Sequence, residues 1–178
     1  MATTHPTPVS HLLPVEEYLT TTYRPDVDYV DGHIEERNLG EFDHGDLQFG
    51  IANFLRNRQQ EWKIRVVGET RVQVSPSRFR IPDVCVIAAG LAREPIIRTP
   101  PLLCIEILSP RDTLNAMRKR VQDFLTMGVP EVWIFDAATR TAHVVTASAT
   151  TAQTTGTLML PNSPVCLRLA EVFATLDA

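Results

Sequence analysis

Two carboxylates stand where the chain is otherwise most apolar. Glu106 lies inside the run Leu102, Leu103, Cys104, Ile105, Glu106, Ile107, Leu108, which ends at Ser109 and Pro110; Asp83 follows Pro82 and opens the run Val84, Cys85, Val86, Ile87. An ionised carboxyl taken out of water costs several kcal/mol unless it is compensated, so each of these acids must be paired, protonated or bound to a cation. Mg²⁺ or Mn²⁺ takes oxygen ligands, keeps several waters and accepts substrate phosphate oxygens, so it needs few groups from the protein. Asp83, Glu106 and the main-chain carbonyl of Ile107 make such a half-open set. A cation held there lowers the pKa of a bound water and offsets charge developing on a phosphodiester, which makes phosphodiester hydrolysis the reaction the set suits. The bland alternative is a structural ion pair with Arg80 or Arg120.

Two strands must carry these acids, and the spacing predicts them over residues 82–88 and through the Glu106 run. Upstream, a short helix is expected over residues 15–22, then a hairpin with strands 28–30 and 33–37 around a type I′ turn at Asp31 and Gly32. Asp43 is a good N-cap, and Leu47, Ile51, Phe54 and Leu55 repeat at one helical face, giving a helix over 44–60. Strands follow over 63–67 and 71–74, with a loop at 75–77, while Pro95, Pro100 and Pro101 keep 90–101 out of helix. Beyond the Glu106 strand, Asp112 is the expected N-cap of a helix with the stripe Leu114, Met117, Val121, Phe124, Leu125, ending at Gly128. Strands at 131–136 and 141–146, a flexible connection at 147–157, and a strand (165–169) and helix (171–176) complete the chain. This order reads as a mixed α/β sheet with helices on its faces.

The chain has 178 residues, 44% hydrophobic and 21% charged, the size of one domain, expected over 15–178 behind a flexible Thr- and Pro-rich segment at 1–14. A net charge of −4 gives no general attraction for nucleic acid, so such a contact must come from a local basic patch. Cys85, Cys104 and Cys166 sit in apolar contexts without metal or CxxC spacing, as reduced core thiols do. With no signal segment and no apolar run near the roughly 18 residues of a membrane span, a cytoplasmic location is expected.

Several stretches together resemble a known family: Pro82 and Asp83; Glu106 with Ile107, Leu108 and Ser109; Tyr29, Val30, Asp31, Gly32; His44 opening a helix; residues 101–110; and Gly128, Val129, Pro130, Glu131, Val132, Trp133, Ile134, Phe135, Asp136. They are similar to the PD-(D/E)XK nuclease signature as carried by the Uma-two family of restriction-endonuclease-like proteins, over about residues 15–145. The resemblance implies a restriction-endonuclease-like αβββαβ core, divalent-metal-dependent cleavage of DNA by an endonuclease, and Asp83 and Glu106 as metal ligands. The third element departs from the pattern. Leu108 stands where the signature has lysine, and the lysine that family members carry on the next helix, counted back from Gly128 through Phe124, falls on Arg120.

Helix geometry separates Arg120 from its neighbour. At about 100° per residue the apolar stripe centres roughly 90° from Arg120 and roughly 170° from Lys119, so Lys119 faces solvent and Arg120 flanks the buried face. Arginine can hold a phosphate or stabilise charge, but it stays protonated and cannot be a general base. The resemblance also points to His44 as a group near the site or one that handles protons; an ordinary surface histidine is the alternative. Glu35 reads as a solvated hairpin glutamate or as a third acid. Arg111, Arg118 and Lys119 read as a solvated helix surface or as phosphate contacts, and Trp62 and Trp133 as core aromatics. The competing function is a nuclease-like fold without turnover, serving as a nucleic-acid-binding or protein-interaction module. Enzymes that cut both strands often work as symmetric pairs, so a homodimer belongs to the expectation.

Overall fold

A computed structural model describes residues 12–38, 40–110, 112 and 114–177. Residues 1–11 of the segment expected to be flexible, and Arg111, lie outside the described residues. In chain order the elements are α1 (Val15–Thr20), β1 (Val27–Val30), β2 (His33–Glu36), α2 (Phe42–Arg56), α3 (Gln59–Trp62), β3 (Ile64–Gly68), β4 (Val72–Ser75), β5 (Arg78–Arg80), β6 (Val84–Ala88), β7 (Leu103–Ile107), α4 (Leu114–Met127), β8 (Val132–Asp136), β9 (Thr141–Val145), β10 (Thr150–Gln153), β11 (Thr157–Met159), β12 (Cys166–Arg168), α5 (Leu169–Phe173) and a closing 3₁₀ turn, Ala174–Asp177.

The main sheet runs β10-β9-β8-β7-β6-β3, and only β7 and β8, joined through α4, are parallel. Its central strands β6 and β7 are covered on both faces, which is why they read as unbroken apolar runs instead of alternating ones. On one face Val84, Val86, Leu103 and Ile105 pack with Leu47, Ile51 and Leu55 of α2. On the other, Cys85, Ile87, Cys104 and Ile134 pack with Met117, Val121 and Phe124 of α4. α4 ends in a Schellman cap. Gly128 takes φ 109°, its N–H donates to the Leu125 carbonyl, and the Val129 N–H reaches back to Phe124.

The hairpin forms as its turn residues dictate, with positive φ at both Asp31 and Gly32. Other elements differ from the expectation. The strand at 71–74 does not join the main sheet: the chain reverses after Ser75 into β5, and a second sheet forms in the order β2-β1-β5-β4. β5 reads Arg-Phe-Arg, a pattern that hides a strand because Arg80 is buried only by virtue of its acidic partners. The helix expected over 44–60 starts earlier, at Phe42, and breaks before α3; Asp43 lies in its first turn, and the N-cap position belongs to Glu41. α4 begins at Leu114, so Asp112 lies just outside it, and its carboxylate accepts the Ser109 N–H. The stretch at 147–157 is not a free connection either. Its β-branched threonines build β10 against β9.

Arg80 pins the second sheet to α4. Its Nε donates to Asp123 (2.7 Å), and its Nη1 donates to Asp28 (3.0 Å) and Glu35 (2.6 Å). Burial alone would lower its pKa, but Asp28, Glu35 and Asp123 raise it, so the guanidinium stays charged. Arg80→Lys keeps the charge and loses the planar fork, leaving buried acceptors unmet. Thermal denaturation should report a loss of about 1–3 kcal/mol; an unchanged melting temperature would contradict the role given to the fork.

Candidate active site

Strand register brings the two acids together. β6 and β7 pair antiparallel with Val84 opposite Ile105, so one step further along Asp83 faces Glu106. Residues opposite each other on antiparallel strands share a face, here the face of Cys85 and Cys104 that α4 covers. The carboxylate of Asp83 also reaches across, its Oδ2 accepting the Ile107 N–H at 2.8 Å.

Neighbouring elements close around Asp83, which is 2% exposed. Burial of Leu47, Ile51 and Leu55 orients α2 so that His44 and Gln48, at i and i+4, come to the end of β6. Gln48 donates to the Asp83 carbonyl (3.1 Å), and His44 Nε2 lies 3.6 Å from Asp83 Oδ1. The other ring nitrogen of His44 is 3.4 Å from the Ser109 hydroxyl. Arg37, just past β2, places Nη2 at 2.6 Å from Asp83 Oδ1. Burial pushes the Asp83 carboxyl up, but His44, Arg37 and the Ile107 N–H outweigh it and hold the group below the usual carboxylate range.

Glu106 is in the opposite condition. It is 0% exposed, and among the described residues neither carboxylate oxygen has a hydrogen-bond partner. Arg120 Nη2 comes within 3.2 Å of Oε1, but not along a hydrogen-bonding direction. Burial pushes the Glu106 carboxyl up to about 8, with Arg120 opposing and Asp83 adding to the rise. Two adjacent acids are thus driven apart, one ionised and one largely protonated at neutral pH, the pattern of sites that handle charge.

On α4 Lys119 is exposed and Arg120 half-buried, and both border the cleft over Asp83. Arg120 is a tied group: its Nε lies 3.0 Å from Asp28 Oδ2 and its Nη2 donates to the Ile81 carbonyl at 2.9 Å. Glu35 borders the same cleft, and its carboxylate takes a hydrogen bond from buried Arg80. Arg118 is exposed, Trp133 is buried and Trp62 packs half-buried against the core. Three members of the site had no role in the sequence reading. Asp28 carries the same signature as Asp83, an acid flanked by apolar strand residues, and could have been found by it. Arg37 and Gln48 carry no local signal; only the tertiary fold brings them to Asp83.

A cleft of about 190 Å³ opens over Asp83, bordered by Arg37, His44, Ser109, Ile107 and Arg120. A water needs only about 10–15 Å³ of such space, so a hydrated cation has room. The residues fit one. Glu106 offers two buried oxygens without a hydrogen-bond partner among the described residues, and Asp83 lies beside it. Among the described residues there is no group of three or more His, Cys, Asp or Glu side chains fit to hold a metal; the protein ligands here are few, as suits a hard ion that keeps its waters. Arg37 and Arg120 now supply the countercharge. Both guanidinium groups border the cleft and are similarly exposed, but Arg120 donates to the Ile81 carbonyl and lies against Asp28, whereas Arg37, among the described residues, meets Asp83 alone. Arg37 is therefore the group a cation would displace. Removing a charge-assisted contact worth roughly 1.5–3 kcal/mol should let Arg37→Met bind Mn²⁺ at least about tenfold more tightly by calorimetric titration; equal affinity would show that Arg37 does not compete.

The family model for Uma2, described as "Putative restriction endonuclease", matches residues 15–175. Among solved structures, the chain is similar to that of a protein described as a putative nuclease belonging to DUF820 from Anabaena variabilis ATCC 29413. The TM-score is 0.80 at 21% identity, covering 90% of this chain and 97% of that one. At that identity the likeness concerns the fold, the mixed α/β architecture described above. No curated protein matches the chain.

Proposed function

The chain belongs to the Uma2 family, and from that premise we propose that it is a divalent-metal-dependent endonuclease that hydrolyses phosphodiester bonds in DNA. The observation that carries this reading is the carboxyl of Glu106, buried and, among the described residues, without a hydrogen-bond partner, directly beside Asp83, which lines an open cleft. Arg120 lies 3.2 Å from Oε1 but makes no hydrogen bond to it, so this ion pair alone leaves both carboxyl oxygens poorly compensated.

Asp83, Glu106 and the Ile107 carbonyl are the groups that would hold Mg²⁺ or Mn²⁺. When bound, the ion supplies Lewis acidity to a water and charge for the phosphate oxygens. The chain's own residues do the rest. Glu106 gives up its proton to serve as a ligand. His44 faces the cleft from the first turn of α2 with a nitrogen able to accept or return a proton, in contact with Ser109, which orients the ring. Arg37, once off Asp83, presents a planar fork to a phosphate in the same cleft. Arg120 acts through Glu106, holding it in place from Asp28 and Ile81, and is a positioning residue.

A second reading draws on a specific observation: both acids face guanidinium groups, and Arg120 stands where the family pattern has lysine. It is a nuclease-like fold that binds nucleic acid without turnover. Incubation of the purified chain with supercoiled plasmid and Mn²⁺ at low salt, where backbone contacts are strongest, separates the two. Nicked and linear products are expected. A gel shift without products would favour the binding module, and neither shift nor products would contradict both.

A further inference from the structure

A cavity larger than the acidic cleft lies elsewhere on the molecule. It is a groove of about 980 Å³ at the far end of β6, walled by the C-terminal end of α2, α3, β3 and the loop after β6. Its charged side chains are Arg56, Lys63, Arg65, Arg93 and Arg98, with Glu94 as the one acid. In a chain of net charge −4, five of 17 basic residues converge on one groove.

Two of the five have structural employment. Arg65 holds the loop through the carbonyls of Ala89 and Leu91, and Arg98 pairs with Glu94, which neutralises that acid. Arg56, Lys63 and Arg93 are exposed and, among the described residues, have no acidic partner. Like charges gathered in a concave surface focus a positive field into it and repel one another until an anion arrives. The groove has no aromatic side chain among its lining residues, so it offers charge to phosphates and nothing on which a base would stack.

We infer that this groove binds the phosphodiester backbone of the DNA that the acidic cleft cuts. The inference takes from the proposed function only the identity of the polyanion. Arg56 and His44 stand near opposite ends of α2, roughly 18 Å apart at about 1.5 Å per residue, or about five base steps along a strand. One rigid helix thus fixes the spacing between the cut and a backbone contact on one flank of it.

The test is fluorescence anisotropy of a labelled DNA duplex of two helical turns, titrated with the full chain in EDTA over a range of salt. The variant is Arg56→Glu/Lys63→Glu/Arg93→Glu, all at exposed positions, with melting temperature as the folding control. Losing three phosphate contacts should weaken binding by about tenfold or more at low salt and flatten the plot of log affinity against log salt by about 2–3. Wild-type affinity and slope in the variant would overturn the proposal. So would tripolyphosphate that binds the wild type and not the variant while duplex affinity stays unchanged, since the groove would then serve free polyphosphates. EDTA removes turnover, so the two readings fail separately. A wild type that never nicks plasmid sinks the nuclease and leaves this result standing, and a variant that binds like a nicking wild type sinks only the groove.

Discussion

Asp83→Asn should lower Mn²⁺-dependent nicking of supercoiled DNA by about a thousandfold or more, some 4 kcal/mol of transition-state stabilisation, while lowering the melting temperature enough to register the lost ion pair but not enough to unfold the chain at the assay temperature. The amide keeps the shape of the side chain, and its oxygen can still accept the Ile107 N–H that bridges β6 to β7 at 2.8 Å. Arg37 loses an anionic partner, but its partial exposure at the cleft lets water replace the contact. What is lost is one of two carboxylates able to hold a hard cation, and a neutral amide oxygen does not compensate the charge. Circular dichroism melting beside the nicking assay separates the outcomes. Nicking at the wild-type rate would remove Asp83 from the site; loss of nicking together with a large fall in melting temperature would make its carboxylate a structural keystone instead.

Glu106→Gln should change how stability depends on pH. The wild-type carboxyl has its pKa raised from 4.5 to about 8 in the folded chain. Between these values the unfolded chain releases a proton that the folded chain keeps, so unfolding becomes easier as pH rises through the window and levels off above about 8. The total is on the order of a few kcal/mol in the metal-free protein. Glutamine stays neutral throughout, so its stability profile should be flatter over this range. The slope, not the absolute melting temperature, is the readout, because the new amide has donors of its own to satisfy in a buried place. Saturating Mn²⁺ should restore stability to the wild type above about pH 8 and do little for the variant. A wild type with no slope across the window would mean that Glu106 is ionised and compensated by Arg120, with no call for a cation.

How much of this was legible in the chain depends on the range of the interactions involved. Acids set in apolar runs are a local anomaly, and that anomaly led to Asp83 and Glu106 because their strands are buried on both faces. Helical periodicity is also local, and it sufficed to leave Lys119 exposed and Arg120 half-buried along α4; that Lys119 also borders the cleft depends on the tertiary fold. The second sheet was not legible. β5 contains Arg78 and Arg80 around Phe79, and burial of Arg80 makes sense only once Asp28, Glu35 and Asp123 have been brought to it from elsewhere in the chain. Arg37 escaped notice for the same reason, since nothing around it in sequence hints at Asp83, whose side chain it meets at 2.6 Å. β10 was passed over because Thr- and Ala-rich composition suggests a linker, and only its pairing with β9 makes it a strand.

The central claim is that a divalent ion belongs between Asp83 and Glu106. A crystal of the chain soaked in Mn²⁺ near pH 8 and measured for anomalous scattering tests it most directly. The account predicts a peak between the two carboxylates, with the Arg37 guanidinium turned away from Asp83 and Arg120 still held by Asp28. Absence of a peak at saturating Mn²⁺, with Arg37 unmoved on Asp83 and Glu106 facing Arg120 alone, would contradict it.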